Sequence, residues 1–215
     1  VTGPTRERAV LQVADQLFLA LHDDRTGHAH AGPAALGLTL AGGLLAELLL
    51  ADLIAVSESL VWPIAGRRPG SMLAHRLLVT ISQEPRPLPV ATWLTFLSRA
   101  AADGVGTRLH AGGWLIRTER GGLLGRRVRV EFPNPTAVAC VVVDLQQRLR
   151  HGDYRDLSDA AAIALIDAAG LTGPVLWDDA RAYLGALVRH APPALLALAG
   201  HLRTAVADAV VSHRH

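Results

Sequence analysis

At 215 residues and half hydrophobic by composition, the chain is long enough for one well-packed domain, and its net charge is only +2. All 21 basic residues are arginines, which excludes Schiff-base lysine chemistry, a P-loop lysine and Ser–Lys mechanisms. A single cysteine excludes an internal disulfide framework, and an aromatic content of 4% offers too few stacking platforms for a nucleic-acid partner to be expected.

The opening stretch "VTGPTRERAVLQVADQ" carries charge at residues 6 to 8 and does not read as a signal peptide. Apolar residues at Val10, Leu11, Val13, Leu17, Phe18 and Leu21 recur at helical spacing, and Asp23, Asp24 and Gly27 form a stop and turn. The most apolar stretch follows, "LGLTLAGGLLAELLLADLIAV" over 36–56. Its uncharged run ends at Glu47, short of the roughly 20 apolar residues a spanning helix needs, so it reads as a buried core helix with Pro33 in its first turn. Gly37, Gly42 and Gly43 weaken that helix but let a neighbouring backbone come close.

"SESLVWPIAGRRPG" suggests a short strand and loop, and "SMLAHRLLVTISQ" a second helix. "EPRPLPV" cannot be helix interior and reads as a linker. Helical periodicity returns in "ATWLTFLSRAAADGVGTRLHAGGWL" and breaks at Gly112–Gly113. Apolar–polar alternation on both sides of a glycine-framed tip then predicts a β-hairpin near 114–132. Four Ala/Leu-rich helical segments with Gly or Pro stops complete the chain. The expected fold class is mainly α: a single compact helical domain over 1–215 with one prominent β-hairpin.

Enzyme signatures are absent: there is no G-x-S-x-G, Walker A, H-E-x-x-H or G-x-G-x-x-G. Cys140 lies in the apolar run "AVACVVVD" and reads as a buried small hydrophobe. His28 and His30 lack a nearby carboxylate or thiol to complete a ligand set, so no metal and no cofactor is expected. The pairs Asp23–Asp24 and Asp178–Asp179 sit at helix boundaries, and capping accounts for at least the second.

The hairpin tip "GGLLG" frames Leu123 and Leu124 with glycines, and Arg117, Arg120, Arg126, Arg127 and Arg129 surround it, offset by Glu119 and Glu131. Arginines beside an exposed apolar tip suit an anionic membrane, where leucines enter the interface and guanidinium groups meet phosphates. Two other readings stay open: the leucines fold onto the protein's own core, or the hairpin packs against another subunit in a homo-oligomer.

"LFLALHDDRTGHAHAGPAALGLTLAGGLLAELLLADLIAV" and "RLHAGGWLIRTERGGLLGRRVRVEFPNP" resemble the opening and the later hairpin segment of the Golgi phosphoprotein 3 family. The resemblance implies a mainly helical domain whose hydrophobic hairpin helps it sit on membranes. Eukaryotic members are peripheral Golgi proteins that bind phosphatidylinositol 4-phosphate and the cytosolic tails of membrane enzymes, with no established catalytic activity. It therefore implies a non-enzymatic, cytoplasmic protein held peripherally at the cytosolic face of a membrane, with a membrane-protein client left open. Aligned with the family's head-group pocket, the tryptophan position falls on Gly32, one arginine position on Ala41, and two further arginine positions on Arg99 and Ala102. Arg99 alone matches, so this chain looks like a bacterial-type relative without the complete phosphoinositide pocket. Arg99, Arg117, Arg120, Arg126, Arg127 and Arg129 are the expected head-group contacts, and Leu123 and Leu124 the expected inserting residues.

Overall fold

The computed structural model describes residues 11–122 and 125–212, and over 119–122 and 125–128 the backbone alone. In chain order the elements are α1 (Val13–Ala20), α2 (Pro33–Leu50), β1 (Ile54–Ser57), β2 (Leu60–Pro63), α3 (Met72–Gln83), β3 (Leu88–Pro89), α4 (Val90–Ala111), β4 (Ile116–Gly122) and β5 (Gly125–Glu131). After them come α5 (Pro135–His151), α6 (Leu157–Ala168), the single turn α7 (Thr172–Val175), a 3-10 turn (Ala180–Tyr183), α8 (Leu184–His190) and α9 (Pro193–Ser212). The protein is mainly α-helical, with a three-stranded antiparallel sheet β1-β2-β3 and the antiparallel hairpin β4-β5.

Helix α2 is the axis of the core. Pro33 occupies its first turn, where a missing N–H leaves no hydrogen bond unmade, and most of its residues from Gly37 to Leu48 are buried. A Cβ on Gly37 would stand 2.5 Å from the Ser98 carbonyl oxygen of α4, and one on Gly43 would stand 2.7 Å from the Leu17 side chain of α1. Glycine at these positions is what lets α1 and α4 reach the axis. Because Gly37 meets Ser98 and Glu47 meets Arg108, α2 and α4 run parallel.

At the far end of that pair a charged group is buried. Arg108 of α4 donates from Nη1 and Nη2 to the two carboxylate oxygens of Glu47 on α2 (2.8 and 2.7 Å) and from Nε to Asp15 on α1 (2.8 Å). The Ala14 amide also donates to Glu47 (2.8 Å). Burial pushes the Asp15 and Glu47 carboxyls above their ordinary values against the pull of Arg108. One guanidinium facing two carboxylates leaves a negative charge uncompensated away from water.

Outside the hairpin the structure departs from the sequence reading in three places. "EPRPLPV" is not only linker, since Leu88 and Pro89 form β3 against Val61 and Leu60 of β2, an edge position where proline is tolerated. Cys140 is exposed, because α5 turns Ala137, Val138, Leu145 and Leu149 inward and the continuous apolar run gave no periodicity from which to choose that face. Asp179 precedes the 3-10 turn without making a side-chain cap, whereas Asp23 accepts from the Arg25 and Thr26 amides and from the Thr26 hydroxyl.

Among the described residues two helices, Pro33–Leu50 and Pro193–Ser212, are long and apolar enough to cross a membrane, and 61% of the first is buried against 28% of the second. In α2 the apolar surface is already covered by protein and its carboxylate is held by Arg108. In α9 the inner row Leu195, Leu198, Leu202 and Val206 is packed and the outer side is open.

The glycine argument is testable. Gly37→Ala is expected to lower unfolding stability by about 1–3 kcal/mol, because the new methyl meets backbone that no rotamer change can move. Gly200→Ala, with no atom within 4 Å of its Cβ, is expected to raise stability by about 0.5–1 kcal/mol through helix propensity. Denaturant melts of both variants measure this, and a stabilised Gly37→Ala protein would contradict the packing.

Candidate functional site

The hairpin is held at its roots. Leu115, just before β4, and Phe132, just after β5, are both buried in the core. The Trp114 amide donates to the Leu109 carbonyl, so the chain leaves α4 on a fixed path. Between the roots the strands pair in register from Ile116↔Glu131 through Arg117↔Val130 and Arg120↔Arg127 to Gly122↔Gly125.

Alternation along a strand divides the hairpin into two faces. One carries Arg117 and Val130. Arg117 donates from Nη1 to the Thr107 hydroxyl (2.8 Å) and to the Asp103 carbonyl (3.1 Å), and its Nη2 pairs with the Asp103 carboxylate. Its side chain is only 17% exposed. Arg117 is therefore a clamp between β4 and α4 and presents no free guanidinium to a head group, which corrects its expected role.

The backbone of the other strand is braced by the loop after α1. Gly27 adopts φ +69°, and a Cβ there would stand 1.9 Å from the Val130 carbonyl oxygen, so only glycine permits this approach. At the start of that loop, His22 is buried, stacks on Phe18 with centroids 4.2 Å apart and meets Phe132 edge-on. Its Nδ1 faces the Phe18 carbonyl at 2.6 Å, a contact that needs the proton on Nδ1. Burial lowers the His22 pKa from 6.5, and the imidazole is held neutral at the hairpin's root. His28 and His30, on the same loop, are exposed. Among the described residues no three His, Cys, Asp or Glu side chains gather as a metal site would require.

The second face carries Ile116, Thr118, Arg120 and, across from them, Glu131, Arg129 and Arg127. Ile116 is 47% exposed, and Arg129 is exposed and pairs with Glu131 at 3.2 Å. The register sets Arg120 directly opposite Arg127 with Arg129 two positions along. Like charges in opposed positions disfavour a hairpin by about 0.2–1 kcal/mol unless an anion lies between them. The side chains of Arg120, Arg126 and Arg127 and the whole of Leu123 and Leu124 lie outside the described residues.

Arg99 is exposed on α4, one turn before Asp103, and so on the helix face that holds the hairpin. The other aligned pocket positions carry no basic side chain. Ala41 is wholly buried in α2, Ala102 is partly buried on α4, and Gly32 is the exposed residue preceding α2.

The architecture is thus a helical core that extends one arginine-bearing hairpin from the end of a clamped helix. The Golgi phosphoprotein 3 (GPP34) family model matches residues 13–212, and the chain belongs to that family. No curated protein matches it.

His22 yields a pH prediction. A histidine whose folded pKa lies below its unfolded value binds protons more readily when unfolded, so its contribution to stability is lost as pH falls through 6.5. In melts across that range, the native protein is expected to lose stability more steeply than His22→Phe. Parallel profiles would show that the ring is not held neutral by the fold.

Proposed function

We propose that the protein is a peripheral membrane protein without catalytic activity, which docks on the cytosolic face of an anionic membrane through its hairpin. The observation that carries this reading is the cross-strand register. It puts Arg120, Arg127 and Arg129 on one face of a hairpin whose opposite face is anchored to α4, and that face leads to the Leu123–Leu124 tip.

In this reading Leu123 and Leu124 enter the interface while Arg99, Arg120, Arg127 and Arg129 meet lipid phosphates, joined by Arg126, which the register sets on the other face of the hairpin but next to the tip. Each arginine near the charged surface contributes about 1 kcal/mol, and each fully buried leucine about 1.5–3 kcal/mol. Together these suffice for reversible docking without a spanning helix. The root supports the reading as well. A tip on a loose strand pair would lose ordering entropy on docking, and the Arg117 clamp and the Gly27 contact have already removed much of it.

Phosphatidylinositol 4-phosphate is the family's lipid, but selectivity for it is not expected here. Gly32, Ala41 and Ala102 provide no guanidinium where the family pocket has its tryptophan and arginines, and Ala41 is wholly buried. Binding should follow surface charge. A membrane-protein client remains open to the same docked orientation.

Co-sedimentation with neutral vesicles, anionic vesicles and vesicles containing phosphatidylinositol 4-phosphate tests this. The native protein is expected to bind anionic vesicles, to release them as salt rises, and to gain nothing from the phosphoinositide beyond its charge. The Leu123→Ser/Leu124→Ser variant is expected to lose most of the binding. Absence of binding to every vesicle would overturn the proposal and point to the hairpin as a subunit contact.

A further inference from the structure

A second surface carries basic and apolar side chains together, on α3 and the loop before it. Ser71 caps α3 by accepting from the Ala74 amide (3.1 Å), and the helix turns Ala74 and Ile81 into the core. Its opposite side is not covered. Met72 is 69% exposed and Val79, seven residues on, is 39% exposed. Between this side and the loop bearing Arg67 and Arg68 lies an open groove of about 820 Å³, to which His75 also contributes. Among the described residues no carboxylate lines it. The nearby Asp52 is engaged by Arg67 at 3.1 Å, which leaves the basic charge of Arg68 in excess there. Trp62 on β2, which packs against α3, and Ile64 just after that strand are exposed as well.

This surface is tied to the hairpin through α4. Leu73 of α3 lies against Gly104, where a Cβ would stand 3.3 Å from its side chain. Gly104 is next in sequence to Asp103, the residue that clamps Arg117 of β4. One turn of α4 therefore carries the hairpin on one side and α3 on the other.

We propose that α3 and the Arg67–Arg68 loop form a second contact with the anionic phospholipid surface, beside the hairpin. The choice of partner rests on the membrane reading above; the location rests on this groove alone. Charge complementarity selects the occupant, since a rim with the charge of Arg68 in excess, next to an exposed methionine and valine, matches phosphates lying over an acyl boundary. An amphipathic helix lying in the interface with a hairpin beside it fixes the protein's rotation on the membrane, which a single inserted tip cannot do. Trp62 extends the contact with a side chain suited to the head-group level.

Site-specific labelling tests this and separates it from the hairpin proposal. On a Cys140→Ser background, which removes the exposed native thiol, an environment-sensitive fluorophore is attached through Met72→Cys in one protein and Leu123→Cys in another. Vesicles of phosphatidylcholine with and without phosphatidylserine are the probe. The label at position 72 is expected to shift to the blue on phosphatidylserine vesicles alone, and Arg67→Ala/Arg68→Ala to lower vesicle partitioning about five- to thirtyfold. A shift at position 123 with none at position 72 overturns the second contact and leaves the hairpin reading intact. No shift at either position overturns both. A shift at position 72 that a short acidic peptide reproduces without vesicles would overturn the lipid assignment in favour of a peptide groove.

Discussion

The guanidinium of Arg108 joins three helices that share no other buried charge among the described contacts. It fixes the roll of α4 against α2 through Glu47 and against α1 through Asp15. Removing one partner from such a group strands the remainder in a low-dielectric site and costs about 3–5 kcal/mol, so the arrangement tolerates little rotation. The roll of α4 in turn decides where Asp103, Thr107 and Arg99 point. Asp103 and Thr107 hold Arg117, Arg117 holds β4, and the register carries that position to the far end of the hairpin. A buried ion cluster about one and a half turns further along α4 thus orients a surface element.

The packing of α2 makes this possible. Glu47 lies in an otherwise apolar helix, and on a hydropathy basis alone the segment is apolar enough to cross a membrane. Its glycines admit α1 and α4 at distances no other residue allows, and that approach is what brings Arg108 within reach of the carboxylate. The same helix that resembles a span is therefore consumed as a scaffold. The outward apolar surface sits elsewhere, on the hairpin, on α3 and along α9.

Much of the fold was legible because it rests on local rules. Pro33 starting α2, the break of α4 near Gly112, and the glycine-framed hairpin all follow from propensity and alternation, and the family match over 13–212 agrees with the quoted segments. What was not legible depends on partners distant in sequence. Arg117 looked like a head-group ligand because nothing near it announced Asp103 and Thr107. Cys140 looked buried because an unbroken apolar run does not say which side of a helix turns inward. Arg67, Arg68 and Met72 carry no sequence signal of their surface, since a groove between a loop and a helix has no sequence period. Membership of the Golgi phosphoprotein 3 family gives the architecture its context.

The central claim is that a rigid helical scaffold presents the hairpin, and α3 beside it, to a charged lipid surface. Amide hydrogen exchange of the native protein, with and without phosphatidylserine vesicles, tests it most directly. The account predicts added protection confined to 116–131 and to the first turns of α3, with α2 and α4 unchanged because they are already fixed. Unchanged exchange in the hairpin, or protection that appears along α9 or through the core instead, would contradict it.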